Sequence, residues 1–284
     1  MGCHHQPCIC KMYNCHTQPL SRFLKYSVSA MLSLLLCTEV IQAQTDFAPG
    51  QIMFTGYDSD DADAFSFVIL TDVLDGTIIY ITDRGWSSTT GFRDDTDGGE
   101  GTISFEFTAD YPCGTSFVFQ DIGPSPTFWV ATDAYGVGTG IITVLVNTTE
   151  SSNQDINGIE FNSVFGTDGD QLFIYQLPEP NPGDQSGFVT AIHMNNASWQ
   201  GGNGDDYSSQ KPSGLNENQL VRFTGDPDNV KYDCSPNLGT SSVLQAAITN
   251  DNGMGGLIAD GSNNWQESNN YIALHPACKF CCGT

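Results

Sequence analysis

The stretch FTGYDSDDADAFSFVILTDVLDGTIIYITDRGWSSTTGFRDDTDGGEG, residues 54–101, decides the fold of this chain. It contains two apolar runs, Phe67–Leu70 and Ile78–Ile81, whose residue types favour β-strands. Both runs are apolar at every position, which is typical of central strands buried on both faces. Loops rich in aspartate and glycine flank them. The stretch therefore predicts the opening of a rigid β domain, and it does not have the pattern of an active site.

Similar strand signals recur along the rest of the chain. Ile103, Phe105 and Phe107 alternate with polar residues, which indicates a strand with one wet face. Short runs of this kind, each bounded by Gly, Asp, Asn or Pro, predict ten strands: 51–55, 65–71, 77–82, 102–108, 115–120, 128–132, 141–147, 171–176, 187–193 and 220–224. The sequence thus predicts an all-β fold, a β-sandwich or jelly roll, with one short helix near residues 241–249.

The N-terminal region has the order of a secretory signal. Arg22 and Lys25 precede the apolar stretch Val28–Cys37, and a region suited to cleavage after Ala43 follows. The apolar stretch is shorter than the roughly 20 residues needed to cross a bilayer. We therefore predict that residues 1–43, a signal peptide with an upstream extension, are removed. Residues 44–284 then form a single secreted β-sandwich domain, which is extracellular or held at the cell surface.

The charge of the chain excludes several partners. The formal net charge is −24, and removal of residues 1–43 makes the mature chain more acidic still, because three basic residues and one acidic residue leave. Such a chain lacks the basic patch that nucleic acids require, so we expect no nucleic-acid partner and no membrane insertion. An acidic chain of this kind instead suits divalent-cation binding and solubility.

One resemblance covers most of the predicted mature chain. It is carried by Gly56, Tyr57, Asp60, Phe65–Val68, Gly76, Thr77, Thr82, Asp83, Gly85, Trp86, Phe92, Arg93, Glu100 and Gly101, with weaker echoes at 169–172 and 264–265. This pattern resembles an uncharacterised domain of secreted bacterial surface proteins, where it often recurs as a module of adhesin-like chains. The resemblance implies a β fold and no particular activity. Since no further module follows here, a free-standing subunit is favoured over an adhesin.

Two acidic loops predict a structural calcium site. The candidate ligands are Asp58, Asp60, Asp61 and Asp63 in the first loop, and Asp94, Asp95, Asp97 and Glu100 in the second. Ca²⁺ prefers six to eight oxygen ligands from flexible, closely spaced carboxylates and carbonyls. Neither loop has the EF-hand spacing, so a simply solvated turn is the alternative. No organic cofactor is expected.

The predicted mature chain offers little for catalysis. Nucleophilic catalysis needs a base beside its Ser or Cys, and only His193 and His275 remain after cleavage. Neither lies in a nucleophile motif. The acids are too many for the sequence to single out a hydrolytic pair. We therefore predict that the protein is not an enzyme, and an extracellular hydrolase is the third hypothesis.

A tryptophan and two glycosylation sequons suggest contacts with sugars. Trp199, within NNASWQGGNG, is the candidate for stacking on carbohydrate, against the alternative of core packing. Asn147 and Asn196 begin N-x-[ST] sequons, so both are candidate glycosylation sites. A calcium-stabilised carbohydrate-binding or adhesive module is thus the second hypothesis for function.

Five cysteines remain in the predicted mature chain, and an exported chain should oxidise them. These disulfide candidates are Cys113, Cys234, Cys278, Cys281 and Cys282. Three of them lie in a Cys-rich tail, residues 278–284. Two intramolecular bridges would tie this tail down and leave one thiol for a link between subunits. The connectivity stays open at this point.

The N-terminal strand segment, residues 44–55, carries the prediction of assembly. Its strand Gln51, Ile52, Met53, Phe54, Thr55 has alternate residues suited to a groove, and open sandwich edges accept such a strand through backbone hydrogen bonds. Pairing within its own domain is the alternative. The leading hypothesis is a secreted structural subunit that joins copies of itself head to tail into an extracellular filament or surface layer.

Overall fold

Two β-sheets face each other across an aromatic core in this computed structural model. It describes residues 43–59, 64–93, 101–120, 132–133, 141–146, 171–194, 199, 209–224, 227–233, 240–249, 257–258, 264–274 and 280. Its strands are β1 Ile52–Asp58, β2 Ala64–Ile69, β3 Ile78–Thr82, β4 Trp86–Ser87, β5 Gly91–Phe92, β6 Thr102–Glu106, β7 Ser116–Gln120, β8 Thr132–Asp133, β9 Ile141–Val146, β10 Gln171–Tyr175, β11 Phe188–His193, β12 Leu220–Phe223, β13 Asn229–Tyr232, β14 Leu257–Ile258 and β15 Trp265–Ser268. Helix α1 spans Ser241–Thr249, and a 3₁₀ turn spans Glu217–Gln219.

The first sheet has the strand order β15-β13-β1-β2-β7-β8, with every pair antiparallel. The second has the order β14-β12-β11-β10-β3-β6-β9. In this sheet β12 runs parallel to both β11 and β14, and the other pairs are antiparallel. Strands β4 and β5 form a separate small hairpin. The predicted fold class, a β-sandwich with one short helix, is therefore confirmed.

The core between the sheets is built largely of phenylalanine. Phe65 on β2 stacks on Phe119 of β7, with ring centroids 4.6 Å apart. Phe105 of β6, in the opposite sheet, meets Phe119 edge-on at 5.0 Å and Phe117 at 5.6 Å. All of these rings are fully buried. Because edge-to-face and offset pairs are the favoured aromatic geometries, these contacts hold the two sheets together.

The position of β3 between two apolar clusters explains why its residues are apolar on both faces. Ile79 and Ile81 point into the core between the sheets, whereas Tyr80 belongs to a second apolar cluster. This second cluster lies on the outer face of the seven-stranded sheet, since successive side chains alternate between faces. The prediction of central strands is confirmed for both runs, because β2 lies between β1 and β7, and β3 lies between β10 and β6.

The outer face of the six-stranded sheet is covered by the segment after β15. The Ile272 N–H donates to Asp58 Oδ2 at 2.8 Å, and Lys231 Nζ donates to the Ala273 carbonyl at 2.7 Å. Leu274 packs with Ala64 and Val118. A side chain at Gly56 would lie 2.7 Å from Leu274 Cδ2, so glycine makes room for this segment.

At one end of the sandwich, Phe280 docks against the turn before β7. Its ring lies 5.9 Å from that of Tyr232, and its backbone runs beside Gly114. The neighbouring Cys113 is disulfide-bonded, and its Sγ lies 3.4 Å from Ser241 Oγ at the start of α1. The other cysteines of the predicted mature chain lie outside the described residues.

The predicted assembly strand is a central strand of its own domain. Strand β1, which contains Ile52–Thr55, pairs with β2 on one side and β13 on the other. Every residue of β1 is buried. The alternative of pairing in cis is therefore what this chain adopts on its own. A strand with apolar side chains on both faces is most stable when both faces are buried and both of its edges are paired.

The helix and several short strands complete the domain. Helix α1 matches the prediction for residues 241–249, with Leu244 and Ile248 buried. The sequence did not predict β4, β5, β13, β14 or β15. None of the described helices combines the length and the apolar character needed to cross a membrane.

Candidate functional site

The outer face of the seven-stranded sheet carries a second apolar cluster, which we call the outer cluster. Its buried members are Trp86, Phe92, Phe173, Tyr175, Phe188, Ala191, Leu215 and Leu220, with Tyr80 and Trp199 partly buried against it. Strands β3, β10, β11 and β12 supply residues from below, and the β4–β5 hairpin covers them. This face therefore combines buried aromatic rings with a few partly exposed ones.

The β4–β5 hairpin is anchored through Trp86. The Trp86 N–H donates to Ser209 Oγ at 2.7 Å, and the Gln210 N–H donates to the Trp86 carbonyl at 2.9 Å. The indole meets Phe188 edge-on at 4.8 Å. Gly91, with φ of 91°, supplies the left-handed backbone of the turn. Trp86, which follows Gly85, and Phe92, which precedes Arg93, thus pair across the two arms of this hairpin.

A charged cluster borders the hairpin. Arg84 Nε donates to the Arg93 carbonyl at 2.7 Å, and its Nη1 lies 3.5 Å from Glu179 Oε2. The Tyr175 hydroxyl donates to the same carboxylate oxygen at 3.2 Å. Burial, and then the charge of Glu179, raise the pKa of Tyr175 well above its usual value. Tyr175 therefore stays protonated at neutral pH and acts as a hydrogen-bond donor.

Gln176, directly after β10, ties the N-terminal segment to this face. Its Oε1 accepts from the Phe47 N–H at 2.7 Å, and its Nε2 donates to the carbonyls of Thr45 and Ile78 at 2.9 and 3.2 Å. Phe47 is buried in the core between the sheets. One amide side chain thus satisfies the backbone of a segment that has no strand partner.

Replacing Gln176 with alanine should lower the free energy of unfolding by about 1–3 kcal/mol, because it leaves partly buried backbone groups without their partner. Urea unfolding measures the change. Gln185→Ala is the matched control, since Gln185 accepts a single 3.3 Å bond from the Gly214 N–H, and we expect a loss within about 0.5 kcal/mol. Equal losses for the two variants would contradict the role given to Gln176.

Between the N-terminal segment and the sheet lies a groove of about 280 Å³. We call it the Tyr80 groove. Its lining combines aromatic and aliphatic side chains with amide, hydroxyl and carboxylate groups. The lining residues are Gln44, Thr45, Asp46, Ile78, Tyr80, Gln176 and Leu177.

The predicted calcium ligands fall mostly outside the described residues. These are Asp60, Asp61, Asp63, Asp94, Asp95, Asp97 and Glu100. Asp58 is fully buried, and its carboxylate accepts the Ile272 N–H. Within the described ranges, no three His, Cys, Asp or Glu side chains are grouped as metal ligands would be. Asp58 therefore has a structural partner, and the calcium site stays a prediction.

Trp199, the predicted sugar platform, is half-buried. Its ring centroid lies 4.7 Å from that of His193 and 6.2 Å from that of Phe173. His193 itself is fully buried within β11. These contacts favour packing over ligand stacking for Trp199. The sequons at Asn147 and Asn196, and His275, lie outside the described residues.

Sequence reasoning missed the residues of the Tyr80 groove. A signal was present, because Tyr80 and Tyr175 each occupy a strand position one residue away from core-facing Ile79 and Ile174. Interpreting the run Ile78–Ile81 only as apolar on both faces hid Tyr80 among the isoleucines. The Arg84–Glu179 contact joins residues far apart in sequence, which no local pattern reveals.

Comparisons with protein families, with curated proteins and with solved structures find no match. The resemblance to a domain of secreted surface proteins therefore stays a prediction.

Proposed function

We propose that this chain is a secreted structural subunit that assembles with copies of itself into an extracellular filament or surface layer. The observation that carries the proposal is the arrangement of the sheet edges. We propose no enzymatic reaction for this chain. The Arg84, Glu179 and Tyr175 cluster supports that view, because its groups satisfy one another and its tyrosine is held protonated.

Among the described strands, the two sheets end on the same two sides of the sandwich. Phe105 of β6 contacts Phe117 of β7, so the neighbouring edge strands β9 and β8 lie on one side. Phe223 of β12 meets Trp265 of β15 at 5.1 Å, so the edge strands β14 and β15 lie on the other side. Each sheet thus has one edge on each side of the domain.

This arrangement favours head-to-tail assembly. A strand at a sheet edge is a template for pairing with another chain. If the β8/β9 side of one copy meets the β14/β15 side of the next, the contact joins two different surfaces. Such a contact generates an open filament when the rotation from one subunit to the next does not close a ring. In this proposal both sheets continue from one subunit to the next.

Edge pairing is a more favourable route than exchange of the N-terminal strand. Strand β1 is buried and paired on both sides in its own domain. Exchange of residues 51–55 would first break their ladder with β2 and expose Met53 and Phe54, which are fully buried. Edge pairing breaks no strand pair of the described residues. We therefore assign assembly to the edges.

Export, the acidic charge and the cysteines complete the proposal. Cleavage after Ala43 would leave Gln44 as the first residue, and Gln44 Nε2 donates to the Gly76 carbonyl at 2.6 Å. The mature chain would then begin on the surface of the domain. We propose that Ca²⁺ bound by the acidic loops reduces repulsion between subunits, and that oxidised cysteines stabilise the exported chain.

A lysine on the β15 edge tests the proposal. Gln266 is exposed on this strand, and charged side chains, lysine above all, disfavour pairing at sheet edges. Gln266→Lys should raise the protein concentration at which assembly begins by about tenfold, which corresponds to about 1.4 kcal/mol per contact. Sedimentation velocity across a concentration series measures this threshold.

Ser88→Lys is the matched control for this experiment. It adds the same charge at an exposed position of the β4–β5 hairpin, away from both edges. Its assembly threshold should stay close to that of the parent protein. If both lysine variants shift the threshold equally, net charge rather than the β15 edge governs assembly, and the edge-pairing route is wrong.

A further inference from the structure

We propose that the Tyr80 groove binds a neutral sugar unit of an extracellular glycan, with the ring of Tyr80 as its platform. This binding site is separate from the sheet edges and does not depend on assembly. Three features support it: a positioned aromatic ring, a polar wall held by the fold, and a charge that excludes anionic ligands.

The platform is held in place from below. Tyr80 stacks on Tyr175, with ring centroids 5.3 Å apart and planes 19° from parallel. Tyr175 is buried and donates to Glu179, so its own ring is fixed. One face of Tyr80 is therefore covered, and the partly exposed remainder of the ring lines the groove. A ring that is already ordered loses little entropy on binding.

Apolar side chains extend this platform. Ile78 lies two residues before Tyr80 on β3, and Leu177 is 62 % exposed beside it. An exposed leucine next to a tyrosine gives an apolar surface with one polar hydroxyl. Sugars present an apolar face of C–H groups and a rim of hydroxyls. Such an amphipathic ligand suits a pocket with apolar walls and a few placed polar groups.

The polar wall comes from the N-terminal segment. The Thr45 N–H donates to Thr77 Oγ1 at 2.9 Å, and Gln176 holds the Thr45 carbonyl. These bonds fix the backbone that presents the exposed side chain of Asp46, and the exposed amide of Gln44 is held by its Nε2, which donates to the Gly76 carbonyl at 2.6 Å. Carboxylate and amide oxygens accept from sugar hydroxyls. Gln176 has both ends of its amide in contact with the backbone, so it positions the wall.

Charge and size define the class of ligand. Asp46 lines the groove, and Glu179 follows the lining residue Leu177 closely in the chain. The chain as a whole carries a net charge of −24. Phosphates and acidic sugars would be repelled by this charge, so among sugars the groove favours neutral ones over acidic ones. A volume of about 280 Å³ is at the lower limit of ligand pockets, which are roughly 300–1,000 Å³. The groove therefore fits one sugar unit, such as a chain end or a single residue of a longer glycan.

Affinity electrophoresis of the mature protein tests this site. The protein is run through native gels that contain soluble β-glucan, α-mannan or galactan, or no polysaccharide. At least one of these neutral polysaccharides should retard the parent protein. Tyr80→Ala should raise the dissociation constant by about tenfold or more, since the aromatic platform is lost. Asp46→Ala, an exposed change that leaves the tyrosine stack intact, should also weaken retardation.

Tyr271→Ala provides the matched control, because Tyr271 is a half-exposed tyrosine on the covering segment of the opposite sheet. It should be retarded like the parent protein. The proposal is overturned if no neutral polysaccharide retards the parent protein. It is also overturned if Tyr80→Ala and Asp46→Ala, both folded by circular dichroism, migrate like Tyr271→Ala. Retardation by an acidic polysaccharide alone would likewise contradict it.

Discussion

Phe105→Ala is expected to lower the free energy of unfolding by about 3–5 kcal/mol, the range for removing a buried phenylalanine. Phe105 is fully buried on β6 and contacts Phe107 at 4.9 Å within its own sheet. It also contacts Phe117 and Phe119 of the opposite sheet. Its removal opens a cavity between the sheets that the surrounding rings fill only in part. Equilibrium unfolding in urea, followed by tryptophan fluorescence, measures the loss.

The control for Phe105 is an aromatic residue outside the core. Tyr271 is 49 % exposed, so Tyr271→Ala should change the free energy of unfolding by less than about 1 kcal/mol. A small loss for Phe105→Ala, comparable to that of Tyr271→Ala, would mean that the two sheets do not share this aromatic core. The dependence of the free energy of unfolding on urea concentration should stay unchanged, since both variants expose the same surface when they unfold.

Gly114→Ala is expected to lower the free energy of unfolding by roughly 2.5–5 kcal/mol, from two sources. Gly114 has φ of 90°, a left-handed conformation that costs a residue with a Cβ roughly 1–2 kcal/mol. The added Cβ would also overlap the carbonyl of Phe280. Phe280, which is 2 % exposed, must then leave its site against Tyr232, and the lost burial costs roughly 1.5–3 kcal/mol more.

Gly76 separates these two sources. It has φ of 78°, close to that of Gly114, yet nothing lies within 4 Å of a Cβ built there. Gly76→Ala should therefore show the backbone cost alone, about 1–2 kcal/mol. The excess for Gly114→Ala reports the docking of Phe280. If the two alanine variants lose the same free energy, the tail does not dock at this turn.

The sandwich was predictable because its signals are local. The alternation of Ile103, Phe105 and Phe107 sets which face of β6 is buried, and a shift of one residue would reverse it. The continuous run in β3 correctly indicated a central strand. Helix α1 was predictable because serines start it and apolar residues recur along one side. Each of these features depends on neighbours in sequence, which a single chain reveals.

The short strands could not be predicted from the sequence, and the reason is physical. Strand β15 has four residues, Trp265–Ser268, of which only Trp265 is buried. It is held by pairing with β13, some thirty residues earlier in the chain. Strands of two to four residues owe their conformation to such distant partners and little to intrinsic preference. The edges of both sheets, on which the proposed assembly depends, are made partly of strands of this kind.

The candidate site was least predictable of all. Tyr80 and Leu177 come together because β3 and β10 are neighbours in the sheet, with Tyr80 opposite Tyr175 in the register. Trp199 was more conspicuous in the sequence because polar, loop-forming residues surround it. The structure instead packs Trp199 on His193 and leaves part of Tyr80 beside a groove. Which aromatic ring remains accessible is decided by tertiary packing.

Negative-stain electron microscopy of the purified mature protein, residues 44–284, tests the central proposal most directly. The protein should be examined across a range of concentrations, with Ca²⁺ and with a chelator. The proposal predicts filaments or ordered layers with a repeat close to the width of one domain, and fewer of them for Gln266→Lys than for Ser88→Lys. Monodisperse single particles at high concentration, with and without Ca²⁺, would contradict it.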